Sequence, residues 1–169
     1  MKRSLALLAL LAGCGAADRP ANRQAAISSN GAAPAAVAEP THPSDAPGLA
    51  GLYQSGNPAQ PNQMCIADKG DSTQFGLTIW GPSMAACAGA GLAKRDGDRL
   101  TLTMTGDSAC VLTAEIRGGT IILPTQLPAG CAYYCGPKAS MAGAALTLKE
   151  AGPAGAAKAK DVAGDPLCS

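Results

Sequence analysis

The 169-residue chain is close to electrically neutral, with 13 Lys and Arg side chains, 12 Asp and Glu, and a formal net charge of +1. A nucleic-acid-binding domain needs a basic stripe to neutralise phosphates, so this balance predicts no nucleic-acid partner and no polybasic membrane patch. Only 3% of the residues are aromatic. A core built from such a chain buries less apolar area per residue than an ordinary core.

The first residues form an export signal. Lys2 and Arg3 precede an apolar run over residues 4–11, and small residues follow. A run of this length is too short to cross a bilayer as a permanent helix. The sequence Leu11-Ala12-Gly13-Cys14 resembles the lipobox of bacterial lipoproteins. The resemblance implies that the signal peptide, residues 1–13, is removed and that Cys14 carries acyl chains such as palmitate, which anchor the protein in a membrane.

The residues after the lipobox indicate where the protein is anchored and how. Gly15, rather than aspartate, follows the cysteine. By resemblance to Gram-negative lipoproteins, this favours the outer membrane, facing the periplasm or the cell surface. Residues 14–47 are rich in Ala, Pro, Asn and Ser, which predicts a flexible linker. His42, the only histidine, lies in this linker, so we interpret it as solvated and not as a catalytic or metal-binding residue.

Residues 48–150 predict a single β domain. Short runs typical of strands are separated by Gly, Pro, Asn and Asp, and the dipeptides Asp96-Gly97 and Gly118-Gly119 indicate tight hairpins. The expected fold is a small antiparallel barrel or sandwich of about seven to nine short strands, stapled by disulfides, with disordered ends. The predicted strands are residues 51–54, 63–67, 74–80, 88–94, 99–105, 109–117, 120–123 and 144–150.

Helical structure is expected in one place only. Residues 138–143 favour a single short helical turn, and no longer stretch of the domain has a helical period. Residues 151–169 return to Ala, Gly, Pro and Lys, which predicts a flexible tail. Cys168, close to the end of the chain, would tie this tail back to the domain if it forms a disulfide.

Six cysteines remain once Cys14 is assigned to the lipid anchor. An even number in an exported chain predicts three disulfides, formed in an oxidising compartment. A metal site is the alternative, but Cys131 and Cys135 do not form a CxxC pair and have no histidine nearby, so we expect no metal. The pairing that we expect, among those the sequence leaves open, is Cys65–Cys87, Cys110–Cys131 and Cys135–Cys168.

The sequence contains no recognisable catalytic arrangement. Ser-His-Asp and Cys-His sites need a histidine on a rigid scaffold, and His42 lies in the linker. Two close carboxylate pairs, Asp68 with Asp71 and Asp96 with Asp98, fit turn chemistry better than calcium binding or acid–base catalysis. We therefore expect a non-enzymatic protein that carries no cofactor.

Three aromatic residues, a pair of tyrosines and a tryptophan, are candidates for a binding surface. Tyr133 and Tyr134 lie between Cys131 and Cys135, and strand-like alternation would send one tyrosine inward and the other outward. An exposed tyrosine held by disulfides is a good recognition anchor. The alternative is that both tyrosines pack around the disulfides. Trp80, which lies on the polar face of its predicted strand, is the third candidate.

These features predict a tethered β domain that binds another envelope component, either a protein or a glycan. The plan of an anchored, cysteine-bridged β domain is similar to that of membrane-bound lysozyme inhibitors, which suggests inhibition as an alternative function. The Ser-Gly-containing inhibitory loop of that family has only a faint counterpart in the segment from Ala139 to Gly143, with Ser140. A third possibility is a structural subunit of an envelope assembly that makes contacts through an edge strand or Trp80.

Overall fold

The structure is a computed structural model that describes residues 48–106 and 108–168, in which the chain forms a closed barrel of eight antiparallel strands. The predicted all-β class is confirmed. Of the two expected architectures, barrel and sandwich, the structure has the barrel. The predicted signal peptide, Cys14 and the linker lie outside the described residues. The strands are β1 (Gly51–Asn57), β2 (Gln60–Lys69), β3 (Ser72–Trp80), β4 (Ala86–Asp96), β5 (Arg99–Met104), β6 (Val111–Arg117), β7 (Thr120–Ile122) and β8 (Ala145–Ala151).

Each strand pairs with its neighbour in sequence, and β1 pairs with β8 to close the barrel. Alternation decides which side chains line the interior. In β5, Leu100, Leu102 and Met104 are buried inside, whereas the intervening threonines lie on the outer face. The interior is filled with side chains, the largest of which are Met64, Ile66, Phe75, Leu77, Leu100, Leu102, Met104, Leu112, Ile121, Leu123, Met141 and Leu146.

Glycines in β4 make room for these large side chains. Gly89 and Gly91 occupy inward positions on the same face as Cys87 and Ala93. A Cβ atom at Gly91 would lie 1.9 Å from the Thr103 carbonyl oxygen, so only glycine allows β4 and β5 to approach this closely.

The two ends of the barrel differ. At the first, which we call the turn end, tight turns join β2 to β3, β4 to β5 and β6 to β7; Gly70, Gly97 and Gly118 supply the left-handed φ angles. The chain enters β1 and leaves β8 at this end, where the Gly152 amide donates to the Ala50 carbonyl oxygen (2.7 Å). The opposite end, the cap end, carries the longer connections, residues 81–85, 105–110 and 123–144.

Residues 123–144, between β7 and β8, form a cap over the cap end. The Leu123 amide donates to the Ala144 carbonyl oxygen (2.8 Å), which closes the base of the cap. A 3-10 helix spans Ala129–Tyr134. Residues 138–143 contain no helix, so the helical turn predicted there is wrong. The strand-like alternation expected around Tyr133 is also wrong, because Tyr133 lies in the 3-10 helix. Cys131 and Cys135 are both bonded to the barrel, and a compact turn accommodates these two nearby attachment points.

The C-terminal residues 152–168 form a strap on the outer face of the barrel. The short helix α1 (Pro153–Ala156) contacts β1, β2 and β8, and a second apolar cluster joins the strap to the barrel. This cluster consists of Leu52, Cys65, Ala67, Ala156, Ala159 and Cys168. The expected disorder of this end is thus wrong for residues 152–168, because buried alanines and a disulfide hold them. The alternative that the sequence left open, a tail tied back to the domain through Cys168, is the one observed. In the described part of the chain, no helix is long and apolar enough to cross a membrane.

The three disulfides join Cys65 to Cys168, Cys87 to Cys135 and Cys110 to Cys131. The expected pair Cys110–Cys131 is confirmed, whereas Cys65–Cys87 and Cys135–Cys168 are wrong. The physical reason is the alternation of the strands: Cys65 faces outward into the strap cluster, while Cys87 faces inward. Each therefore bonds to the segment that covers its own face, the strap for Cys65 and the cap for Cys87.

Removal of the Cys65–Cys168 disulfide should destabilise the protein strongly. This bond joins residues 103 positions apart and therefore restricts the unfolded chain over most of the domain. We expect Cys65→Ala/Cys168→Ala to lose about 2–5 kcal/mol of unfolding free energy, measured by denaturant titration without reductant. Val162→Ala, at an exposed strap position, is the control and should change stability by less than about 0.5 kcal/mol. Equal midpoints for the double variant and the wild type would contradict this role of the strap.

Gly76 should be required for the strap to pack against β3. A Cβ atom at Gly76 would lie 2.7 Å from the Leu167 carbonyl oxygen, a backbone atom that cannot swing away. Gly76→Ala should therefore displace the end of the strap, cost about 1–3 kcal/mol and increase amide hydrogen exchange in residues 159–168. Gly48→Ala is the matched control, because nothing lies within 4 Å of its Cβ position. Unchanged exchange in Gly76→Ala would count against the observed packing.

Candidate functional site

The cap end brings together the aromatic residues that the sequence indicated. Tyr133 lies in the 3-10 helix of the cap, between Cys131 and Cys135, and 80% of its surface is exposed. Its ring meets the ring of Tyr134 edge to face, with the centroids 5.4 Å apart. One tyrosine is thus outward and the other partly covered, although a 3-10 helix and not a strand produces this arrangement.

Tyr134 fills the mouth of the barrel beneath the cap. A Cβ atom at Gly89 would lie 2.9 Å from Tyr134 Cδ1, and one at Gly106 would lie 3.1 Å from its hydroxyl oxygen. The ring therefore lies between β4 and the β5–β6 connection, and small residues leave the space for it. The hydroxyl oxygen is buried and has no hydrogen-bond partner among the described residues. Because Tyr134 packs in this way, it supports the exposed ring of Tyr133.

The loop at residues 81–85 lies against the cap. The Gly136 amide donates to the Ala86 carbonyl oxygen (2.8 Å), and a Cβ atom at Gly81 would lie 2.8 Å from the Cα atom of Ala139. Met84 is 72% exposed at the tip of this loop. Ser83 and Met84 both have left-handed φ angles, 56° and 64°, which non-glycine residues adopt only under local constraint.

Trp80 ends β3 at the same end of the barrel. Its backbone amide donates to Asn62 Oδ1 (2.8 Å), and its side chain, on the outer face, is half-buried. The predicted polar face of β3 is not simply solvated, because Thr78 is only 1% exposed and its hydroxyl has no partner among the described residues. Trp80 is therefore a flanking residue of the cap end and a less exposed anchor than Tyr133.

Charge is divided unequally between the two ends. In the described residues of the cap-end connections, Lys138 is the single charged side chain. The turn end and the strand residues next to it carry six basic and six acidic groups. They are Asp68, Lys69, Asp71, Lys94, Arg95, Asp96, Asp98, Arg99, Glu115, Arg117, Lys149 and Glu150.

The buried tyrosine of the turn end is structural. The hydroxyl of Tyr53 donates to the Leu49 carbonyl oxygen (2.8 Å), which fixes the entry of the chain into β1. Burial raises the pKa of Tyr53 above its ordinary value, and the positive charge of Arg95 opposes this rise in part. Tyr53 therefore favours its neutral, hydrogen-bonded form.

An outer groove, formed by residues of β3, β4 and β5, was not anticipated from the sequence. Two adjoining hollows of about 570 Å³ each share Leu92 and Thr103, and Leu167 of the strap forms one wall. Leu92 is 54% exposed. One sequence signal was available for the groove: Ala93 faces inward, so its neighbour Leu92 lies on the outer face. The wall formed by Leu167 had no such signal, because the sequence did not show where the strap packs.

The other predicted site residues lie away from the cap end or outside the residues that the structure describes. Cys14 belongs to residues 1–47, which are outside it, and so does His42. Within residues 48–106 and 108–168, no three His, Cys, Asp or Glu side chains are grouped as metal ligands. The chain matches no protein-family profile, no curated protein and no solved structure.

The stability of the protein should fall at high pH partly through Tyr53. Its folded-state pKa is raised, so the unfolded state releases the proton first; this stabilisation is complete below about pH 10 and is lost as the pH rises toward the folded pKa. Tyr53→Phe should lack this contribution and should be about 0.5–1.5 kcal/mol less stable at neutral pH, because the hydrogen bond to Leu49 is lost.

The measurement is denaturant unfolding from neutral to alkaline pH, with alkaline absorbance titration of the tyrosines. Tyr133→Phe is the control, since it alters an exposed side chain and should keep the neutral-pH stability of the wild type. If Tyr53→Phe and the wild type lose stability in parallel above pH 10, Tyr53 is not the group responsible.

Proposed function

We propose that the protein is a lipid-anchored lipoprotein of the bacterial cell envelope whose barrel is a non-enzymatic interaction domain. The lipobox-like Leu11-Ala12-Gly13-Cys14 supports the anchor. Six paired cysteines support an oxidising compartment outside the cytoplasm, because disulfides persist there. Outer-membrane attachment, facing the periplasm or the cell surface, is the localisation we propose from Gly15.

The exposed ring of Tyr133 on a doubly bonded cap is the observation that carries the proposal. Two disulfides, Cys87–Cys135 and Cys110–Cys131, hold the 3-10 helix against the barrel. A rigid aromatic side chain binds a partner at low cost in conformational entropy. Since side chains fill the interior of the barrel, a partner binds on the outer surface, and the cap end presents its most exposed aromatic side chain.

The two alternative functions have less support in the geometry. The segment with a faint likeness to an inhibitory loop is a compact turn, in which the Ala142 amide donates to Ser140 Oγ (3.1 Å) and Met141 is fully buried. This turn does not offer an extended inhibitory loop. A structural subunit that docks through an edge strand is also disfavoured, because each strand of the described barrel has two neighbours. Contact through the cap end remains compatible with a subunit role.

Cys14→Ser should abolish acylation and release the protein from the membrane, because the serine hydroxyl does not replace the thiol as the lipidated group. The measurement is intact mass of the purified full-length product together with membrane fractionation. Gly15→Ala is the matched control, since it leaves the four lipobox residues in place. If Cys14→Ser has the same mass of attached acyl chains and the same membrane-bound fraction as the wild type, the anchor is disproved.

A further inference from the structure

We propose that the Cys65–Cys168 disulfide is a redox switch: the intact bond holds part of the strap against the barrel, and reduction of the bond releases it. The segment that moves, called the latch below, consists of residues 160–168. This inference concerns the strap and the outer groove, so it goes beyond the proposed function and does not depend on the cap end or on the lipid anchor.

The latch makes most of its hydrogen bonds within the strap. The Asp161 amide donates to the Asp165 carbonyl oxygen (2.8 Å), and the Asp165 amide donates to Asp161 Oδ1 (2.8 Å). The Leu167 amide donates to the carbonyl oxygen of Ala159 (3.0 Å), at the base of the latch. Because these bonds do not involve the barrel, the latch can leave the barrel without breaking the ladder of any strand.

The disulfide is the main attachment of the latch to the barrel. Residues 160 and 162–166 are exposed, and the buried alanines of the strap, Ala156 and Ala159, precede the latch. The Lys160 amide donates to Gln63 Oε1 (3.2 Å), and this hydrogen bond is exposed to solvent. A segment with few buried apolar contacts and exposed hydrogen bonds opens at low free-energy cost. Once the disulfide is reduced, little else holds the latch in place.

The two cap disulfides do not act as such a switch. Cys110 and Cys131 have no exposed surface. Cys135 is half-buried, but reduction of its bond leaves the cap attached through Cys131. The hydrogen bond from Leu123 to Ala144 also closes the base of the cap. Among the three disulfides, opening of Cys65–Cys168 is therefore the one that frees a segment.

Release of the latch changes the shape of the outer groove. Leu167 and Cys168 line the groove on its strap side, and Ala90 of β4 lies in its floor. The strand register places Ala90 opposite Gly76 of β3, and Gly76 opposite Cys65 of β2. When the latch leaves, the groove therefore loses one wall and continues over Gly76 as far as Cys65. The oxidised protein has the short groove, and the reduced protein has the long one.

The reductant that the switch requires is a dithiol. Cys168 is 9% exposed and Cys65 is fully buried, so a thiolate of the dithiol attacks Cys168 Sγ. This attack forms a mixed disulfide and displaces Cys65 as a thiolate, which takes up a proton. The second thiolate of the dithiol then attacks its own sulfur in the mixed disulfide, which releases Cys168 as a thiol and leaves the reductant as a disulfide. The electrons and protons lost by the dithiol are those gained by the two cysteines.

The reduced form has a hydrogen-bond acceptor ready for its new thiol. Cys65 Sγ lies 3.7 Å from the Gly76 carbonyl oxygen. A disulfide sulfur has no proton to donate, whereas a thiol is a weak donor. Reduction therefore leaves no buried polar group at Cys65 without an acceptor in reach.

The test is stepwise reduction of the purified full chain with dithiothreitol, at concentrations that open one bond per molecule. Peptide mapping identifies the opened bond, amide hydrogen exchange measures release, and iodoacetamide labels free thiols. We expect Cys65–Cys168 to open first and exchange in residues 160–168 to rise at least about tenfold, while exchange in β5 and β6 stays unchanged. Cys65 should then be alkylated within about tenfold of the rate of Cys168, because departure of the latch exposes its sulfur.

Two variants are the controls. Cys65→Ala/Cys168→Ala should be permanently open: without reductant its latch should exchange as fast as that of the reduced wild type, and the same dithiothreitol concentration should not increase that exchange. Val162→Ala changes an exposed latch residue and keeps the bond, so it should match the wild type before and after reduction.

Four outcomes would overturn the proposal. They are reduction of a cap disulfide before Cys65–Cys168, unchanged exchange in the latch of the reduced protein, a reduced Cys65 that resists iodoacetamide, and loss of protection in the barrel strands together with the latch. The last outcome would show that the bond only stabilises the whole fold.

Discussion

Two disulfides at one end of the barrel are the constraint on which the rest of the site depends. Cys87–Cys135 attaches the cap to the second residue of β4, and Cys110–Cys131 attaches it to the connection before β6. The cap is rich in Ala, Gly and Pro and has few large side chains of its own to bury. Cys131 lies in the 3-10 helix and Cys135 directly follows it, so the two bonds fix Tyr134 in the barrel mouth and leave Tyr133 outside.

The barrel has few aromatic residues with which to fill its interior. Leucine, isoleucine and methionine fill the interior, and inward glycines in β4 leave room for the Met104 side chain and for Tyr134. On the outside, the strap covers Leu52, Cys65 and Ala67 of β1 and β2 and Gly76 of β3, and the third disulfide holds it there. The result is a scaffold whose charged side chains are concentrated at the turn end, whereas Lys138 is the single charged side chain in the described residues of the cap-end connections. The two ends of the barrel therefore differ in charge.

The sequence predicted the strands well, because alternation and turn chemistry are local. Asp96-Gly97 and Gly118-Gly119 lie at tight turns, and the predicted strands coincide with the eight observed ones to within a few residues. It did not predict the partners of Cys65 and Cys87, which depend on whether each cysteine faces into or out of the barrel. The sequence left open that a disulfide at Cys168 ties the tail to the domain, and such a disulfide is present. It did not predict that the tail is ordered, because Ala156 and Ala159 become a packing surface only opposite Leu52 and Ala67. Tyr133 was identified from its flanking cysteines, but the exposed Met84 carried no comparable signal.

The most direct test of this account is disulfide mapping of the unreduced protein by mass spectrometry. Trypsin cleavage at Lys94, Arg99 and Arg117 separates Cys87, Cys110 and Cys131 from one another, and chymotrypsin cleavage at Tyr133 and Tyr134 separates Cys131 from Cys135. Digestion with both proteases therefore makes the partners of Cys131 and Cys135 distinguishable. The account predicts one peptide pair that joins Cys110 to Cys131 and another that joins Cys87 to Cys135. If Cys131 and Cys135 are bonded to other cysteines, or are free thiols, the cap is not fixed to the barrel in this way, and the presentation of Tyr133 described above is wrong.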